Sequence, residues 1–453
     1  MKENQEKNES SQTSDFEFLQ EKIKERPINK KKLLQRTVIT ASLALLFGLV
    51  ACLTFLLLEP VLNNWLYPEE EPQIVTFPQE KNEMLPEDML TEGEGTQTES
   101  EEAVESSEDV ALVQKPEDDV SQTEISEEDN TVLYEEMYQG VREKYKEIVT
   151  SMVTVTSVKS DVDWFNNTYE SEGEIAGVII ANNNRELLVL TKRSPLKEAE
   201  SIRITFCNGT SAEGKIKKYD VNTDLAVIAV ELKYLKSATL DNVSVANLGS
   251  SADANLRGMP VMAVGNVLGY KDSVCLGMIT STGNILTMAD NEYRLITTDI
   301  YGSQNPSGIL VSMEGNVLGI LDNSHNNEDT KNLVSAIGIT ELKGMITKLS
   351  NGIDIPYAGI YVQDISGETR KELGIPQGAY ILDIDMDSPA MEKGIQKGDI
   401  VIRVGEKEIL SASDYMNAIR GYSKDTDVVI SVLRYTKEAY EEMQFTITLE
   451  TRE

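Results

Sequence analysis

The sequence is poor in the residues from which disulfide frameworks and imidazole-based sites are built. Its 453 residues include three cysteines and one histidine, His325. Cys52 lies in a long apolar run, which leaves Cys207 and Cys275 for the rest of the chain. Two cysteines do not make a disulfide framework, and their pairing cannot be deduced from sequence. We expect both to be buried free thiols.

Basic residues are also scarce, and the resulting negative charge is concentrated in one segment. The chain has 42 Lys and Arg against 76 Asp and Glu, a net charge of −34. Residues 69–130 hold 22 acidic and two basic residues, hence −20 of that total. This segment has few aromatics and no lasting periodicity, so it cannot bury enough apolar surface to offset the entropy of ordering. We predict a disordered acidic linker over 59–132, and no nucleic-acid partner, because phosphates would be repelled.

One stretch, 37–58, contains 22 residues without a charge. As a helix it would be about 33 Å long, which exceeds the hydrocarbon core of about 30 Å. Bases precede it and the next one is Lys81, so the positive-inside rule predicts a cytoplasmic tail at 1–36 and later domains outside the cell membrane. We predict an uncleaved, single-pass transmembrane helix. The competing interpretation, a lipobox ending at Cys52, requires the apolar run to stop there, and it continues.

Beyond residue 132 the sequence favours one helix and then many short strands. Aromatic and charged residues at helical spacing over 134–145 predict a helix. Short β-type runs follow, separated by polar turns, and this pattern is typical of a mostly β barrel or sandwich. The runs lie at Met152–Val158, Ile175–Ile180, Leu187–Leu190, Ile202–Phe206, Leu225–Val230, Val261–Val264 and Val317–Leu321.

A second unit begins near residue 356. Its strings YAGIYV at 357–362, GAYILDI at 378–384 and DSPAMEKGIQKGDIV at 387–401 resemble a PDZ domain of the bacterial protease type, an α+β fold. We place that domain at 355–450. Ser413 as N-cap and Gly421 as stop predict the short helix that flanks a PDZ groove.

Four further strings resemble trypsin-like proteases of the HtrA/Deg type: YDVNTDLAVI at 219–228, LGSS at 248–251, VGNVLG at 264–269 and CLGMITS at 275–281. The resemblance implies a trypsin-like double β-barrel at 133–350, built from two six-stranded barrels and followed by the PDZ domain. It further implies a role in envelope protein quality control and a possible homotrimer, and it implies no cofactor and no metal.

The triad positions that this resemblance implies are only partly kept. Asp224 falls on the catalytic aspartate. The string LTKRSP at 190–195 puts Ser194 where the family has its histidine, so the general base is lost. His325 follows Ser307 by 18 residues, and it could serve as base only with a different chain path.

The serine loop TDIYGSQNPSGIL at 298–310 is one residue shorter than in the family, and this leaves two alignments open. One puts Ser307 on the nucleophile. The other puts Pro306 there, which removes both the hydroxyl and a backbone N–H that helps to bind the oxyanion.

The PDZ resemblance implies a site for protein or peptide C-termini. Such domains add the peptide as a strand and hold its carboxylate with successive backbone amides, here Ala358, Gly359 and Ile360, ahead of a strand that reaches Val362. Two apolar helix residues would form the groove wall or belong to the core, Met416 and Ile419. The sequence therefore favours a membrane-anchored pseudoprotease that binds C-termini; the alternative is an active endopeptidase with displaced catalytic residues.

Overall fold

The computed structural model describes residues 30–66, 72–79, 127–162, 168–437 and 439–452. The chain divides into two compact units, residues 1–70 and 71–453. The first unit contributes helix α1, Lys30–Leu66. Residues 37–58 lie within α1, and among the described residues no helix is at once long enough and apolar enough to cross a membrane.

The first helix of the second unit is α2, Glu127–Val149, and it leads into a closed barrel of six antiparallel strands with the order β1-β2-β3-β6-β5-β4. Valine, isoleucine and leucine side chains from these strands fill most of the barrel interior. The strands are β1 Met152–Val162, β2 Thr168–Asn182, β3 Glu186–Lys192, β4 Ser201–Phe206, β5 Ser211–Asp220 and β6 Leu225–Glu231.

A short helix, α3 (Ser237–Leu240), leads towards a second closed barrel with the order β10-β11-β12-β9-β8-β7, and helix α4 (Ile339–Ser350) follows it. The strands are β7 Pro260–Asn266, β8 Ser273–Met288, β9 Asn291–Tyr301, β10 Ser307–Ser312, β11 Val317–Leu321 and β12 Leu333–Gly338. One shared core draws on both barrels and on α4. The predicted double barrel is confirmed.

The C-terminal domain is a sheet with the order β13-β14-β15-β17-β18, with β16 paired to β15. Its own buried core is separate from that of the barrels. The strands are β13 Ile360–Gln363, β14 Ala379–Ile384, β15 Ile400–Val404, β16 Lys407–Glu408, β17 Asp427–Thr436 and β18 Ala439–Thr448. The helices are α5 Gly367–Leu373, α6 Pro389–Lys393 and α7 Ala412–Arg420.

The start of α7 corrects one detail of the sequence prediction. The N-cap is Ser411, whose Oγ accepts a hydrogen bond from the Asp414 amide at 3.1 Å, and not Ser413. Gly421 ends the helix as predicted. The reason lies in spacing, because a capping hydroxyl reaches the amide three residues ahead.

Part of the predicted disordered linker is ordered. The Gln73 amide donates to the Asn183 carbonyl at 3.0 Å. Val75 exchanges hydrogen bonds with the Asn351 side chain at 3.0 and 2.7 Å, and Val75 and Phe77 pack on the barrel core. Alternating apolar residues inside an acidic segment account for this docking. Residues 59–66 belong to α1 and 127–132 to α2, and the remainder of the predicted linker lies outside the described residues.

The cysteines also differ from expectation. Cys207 is an exposed free thiol and not a buried one, and its Sγ contacts the Asn242 carbonyl at 3.3 Å. Cys275 is free and half-buried, and burial raises its pKa.

Candidate functional site

Asp224 and Ser194 form a direct contact where the triad was predicted. Asp224 sits in the tight turn between β5 and β6 with φ 55°, a left-handed conformation that aspartate tolerates better than most residues. The Ser194 hydroxyl donates to its Oδ1 at 2.6 Å, and the Arg193 amide donates to its backbone carbonyl at 2.7 Å. The carboxylate is therefore paired with a hydroxyl, which cannot accept a proton near neutral pH.

A buried carboxylate stabilises the turn that carries Asp224. The Asp220 carboxylate accepts the Thr223 amide at 2.8 Å and the Thr223 hydroxyl at 2.7 Å. Burial raises the pKa of Asp220, and these two hydrogen bonds oppose that shift. The turn geometry is thus fixed without a histidine.

Ser307 lies at the first position of β10 and is only 2% exposed. Its Oγ accepts a hydrogen bond from the Ala176 amide on β2 at 2.9 Å. Pro306 immediately precedes the strand and is also buried. The structure thus places Ser307 against β2, while Ser194 and Asp224 contact one another.

Gly308 allows the backbone of β10 to pass close to the backbone of β7. Its φ is 132°, and a Cβ at this position would lie 2.1 Å from the Val264 carbonyl oxygen on β7. Only glycine permits that approach. The nearby crevice between β3 and β10, lined by residues including Lys192 and Gly308, holds about 10 Å³, room for roughly one water.

The single histidine is engaged elsewhere. His325 Nε2 lies 3.7 Å from the Asp322 carboxylate, which also receives the Lys192 ammonium at 3.1 Å. Asp322 therefore neutralises Lys192, and the imidazole lies beside this pair without a hydrogen bond to Asp322. The structure pairs His325 with Asp322 and pairs the Ser307 oxygen with a backbone amide.

The C-terminal domain contains three converging donors. The amides of Ala358 and Gly359 each lie 2.7 Å from one carboxylate oxygen, and the amide of Ile360 lies 3.2 Å from the other. Gly359 has φ 86° and lets the loop curl around the acceptor. Successive amides of this kind bind peptide carboxylates by strand addition. The three predicted residues are brought together.

Comparisons with known proteins agree with this architecture. Residues 175–320 match the model described as trypsin-like peptidase domain, and residues 356–448 match that of the PDZ domain. The chain is of the HtrA type, a trypsin-like peptidase domain followed by a PDZ domain.

Two relatives give the extent of the similarity. A putative serine protease, HhoB, of Synechocystis sp. is 27% identical over 59% of this chain and 64% of its own length. The serine protease Do-like HtrA of Bacillus subtilis is 28% identical over 59% of this chain and 62% of its own length. Each match therefore covers less than two thirds of the relative. Among solved structures, the HtrA-type protease AlgW with decapeptide has a TM-score of 0.49 and 21% identity over 68% of this chain and 99% of its own.

In this HtrA-type chain the acceptor in the PDZ loop is internal. It is Asp290, in the turn between β8 and β9 of the peptidase domain, and it is 2% exposed. The Tyr415 hydroxyl on α7 donates to the same carboxylate at 2.6 Å. Burial raises the pKa of Asp290 and the four hydrogen bonds oppose this; burial likewise raises the pKa of Tyr415. The sequence prediction missed both residues, because the string Ala-Asp-Asn indicates a hairpin turn and nothing in it indicates a partner domain.

The predicted groove wall is buried in the PDZ core. Met416 is 5% exposed, while Ile419 and Val362 are each 1% exposed. Ile419 also lines a crevice of about 10 Å³ that Asp290 and Pro356 share. Core packing accounts for all three side chains, and Ile419 in addition faces the position that Asp290 occupies.

A larger cavity of about 340 Å³ lies between α2 and the two barrels. Its walls include Glu174 and Lys271, and its lining contains none of the triad positions. Asn266 lines it as well, and the Oδ1 of this residue is buried without a hydrogen-bond partner among the described residues. The lining nevertheless includes two neighbours of Ser307: Ala176, whose amide donates to the Ser307 Oγ, and Asn266, its partner across β7 and β10.

Proposed function

We propose that this chain is an HtrA-type pseudoprotease that binds protein C-termini through its PDZ domain. The observation that carries the proposal is the hydrogen bond of 2.6 Å from the Ser194 hydroxyl to Asp224. Asp224 keeps the position that orients a histidine in a triad, and here it orients a hydroxyl that cannot take up a proton.

Loss of the general base is expected to lower the rate of catalysis strongly. Triad members act as a unit, and removal of the histidine from such a protease lowers turnover by about 10⁶-fold. The Ser307 oxygen is in addition occupied as an acceptor by the Ala176 amide. A hydroxyl with neither a base nor a free orientation is a poor nucleophile.

The binding half of the proposal rests on the loop at 358–360. Three amides that point at one carboxylate are the recognition device for a peptide C-terminus, and β13 beside them offers a strand for pairing. The expected partner is thus the free C-terminus of a protein. Sedimentation of the full-length chain would test the possible homotrimer.

Location at the cell membrane is a further part of the proposal. Its support is the sequence, namely the 22 uncharged residues at 37–58 and the bases that precede them. Extraction of membranes with alkaline carbonate tests it. Retention of the chain in the pellet is expected, and complete release would contradict the anchor.

A fluorophosphonate probe, which labels activated serines, tests the loss of catalysis. Peptide mass spectrometry measures the label on the peptide that contains residue 307. We expect the natural chain to carry no more label there than the Ser307→Ala control. Restoring the base with Ser194→His, alone and with Pro306→Ser, reports whether the loop can still form a nucleophile. Labelling of the natural chain at Ser307 would contradict the proposal.

A further inference from the structure

The carboxylate-binding loop of the PDZ domain is filled by a residue of the same chain. We infer that Asp290 is a built-in occupant of this loop, so that a protein C-terminus binds only after the β8–β9 turn has been displaced. The inference rests on the proposed function and adds its regulation: the chain holds its own binding site closed.

The contacts of Asp290 reproduce those of a terminal residue. Its backbone amide donates to the Ile360 carbonyl at 2.8 Å, as the last residue of an added strand would. Its carboxylate takes the amides of Ala358, Gly359 and Ile360. A peptide carboxylate needs these same donors, and two carboxylates in one small site repel each other. A peptide C-terminus therefore competes with Asp290 for the loop.

The chemistry of the site demands a carboxylate. All four polar groups around Asp290 donate: three amides and the Tyr415 hydroxyl at 2.6 Å. An ionised carboxylate only accepts, whereas an asparagine would turn an N–H₂ group towards one of the donors. Aspartate also suits the φ of 60° at this turn. Buried charge is tolerated only with such complete pairing.

Other contacts keep the PDZ domain beside the peptidase domain when Asp290 leaves. The Arg452 guanidinium near the C-terminus donates to the side chain of Asn222 in the β5–β6 turn of the peptidase domain. The Lys348 ammonium on α4 donates to the Tyr422 carbonyl at 2.9 Å. Because these pairs hold the two domains together, Asp290 remains at high effective concentration and re-enters an empty loop.

Fluorescence anisotropy of the full-length protein tests the inference. The probe is a pool of N-terminally labelled decapeptides, random except for an apolar last residue, with a free carboxylate or as the C-terminal amide. Asp290→Asn removes the charge and Asp290→Gly removes the side chain, and both suit the left-handed turn. Asp272→Asn is the matched control, since Asp272 is an exposed aspartate with φ 58° in another turn of the same domain.

We expect both Asp290 variants to bind the free-acid pool about tenfold more tightly or better than the natural chain, because the competent fraction rises. The Asp272→Asn protein should match the natural chain, and amidated peptides should bind poorly throughout. Equal affinity of natural and Asp290-substituted chains overturns the inference and leaves the proposed function standing. Failure of every protein to bind the free acids overturns both.

Hydrogen exchange provides a second readout that needs no ligand. The amides at 358–360 are hydrogen-bonded to Asp290 and should exchange at least about tenfold faster in Asp290→Asn, while the amides of β14 keep their rates. Unchanged exchange at 358–360 overturns the inference.

Discussion

A buried ion pair holds the PDZ domain together, and breaking it gives a sharp prediction. The Arg434 guanidinium binds both carboxylate oxygens of Asp399, with Nε to Oδ1 and Nη2 to Oδ2 each at 2.7 Å. The Asp399 side chain is 1% exposed, and it also accepts the Gln396 amide at 2.9 Å. Asp399→Asn leaves the guanidinium without its counter-charge.

Breaking a buried pair by removing one partner costs about 3 to 5 kcal/mol, and we expect about 3 because asparagine keeps the shape and one acceptor oxygen. At 1.4 kcal/mol per factor of ten, amides of β14 and β15 should exchange about 10²-fold faster with solvent deuterium. The double variant Asp399→Asn/Arg434→Met should lose less, since no charge is left unpaired. Glu406→Gln, at an exposed turn of the same domain, is the control. Acceleration below about threefold would refute the reasoning.

Three further predictions concern the barrels and their junction with the PDZ domain. Gly308→Ala should lower the free energy of unfolding of the peptidase domain, measured in urea, by several kcal/mol, because the added Cβ would lie 2.1 Å from a carbonyl oxygen. Gly283→Ala is the control and should be nearly neutral, because a Cβ at that position would have no atom within 4 Å. Burial lowers the pKa of Lys348 to about 8, against 10.5 for an ordinary lysine, so between these two pH values the unfolded chain binds more protons than the folded one. The free energy of unfolding of the natural chain, measured relative to that of Lys348→Met, should therefore rise with pH over this range. A difference that does not change with pH would contradict this. Cys207 should react with a maleimide faster than the half-buried Cys275, whose pKa burial raises, as peptide mapping would show.

Much of the fold could be predicted because its signals are local. The β-type runs of the sequence fall inside strands β1 to β4, β6, β7 and β11, and the PDZ-like strings lie within the residues that match the PDZ model. Local apolar patterns and turn residues determine where strands begin and end. The motif strings gave positions for Ser194 and Asp224 but did not predict the hydrogen bond of 2.6 Å that joins them in the structure.

The occupant of the PDZ loop could not be predicted, because its contacts join distant parts of the chain. Asp290 and Tyr415 are 125 residues apart, and neither carries a local signal for the other. The ordered residues 72–79 were missed for a related reason. The overall acidity of the segment outweighed the alternation at Val75 and Phe77, which only a partner surface makes effective.

Hydrolysis of unfolded casein tests the central claim most directly. The initial rate of the natural full-length chain is compared with that of Ser307→Ala under the same conditions. Because the proposed function puts Ser194 at the position of the general base, we expect the natural chain and the Ser307→Ala variant to release the same background of peptide. Cleavage by the natural chain that disappears with Ser307→Ala would contradict it.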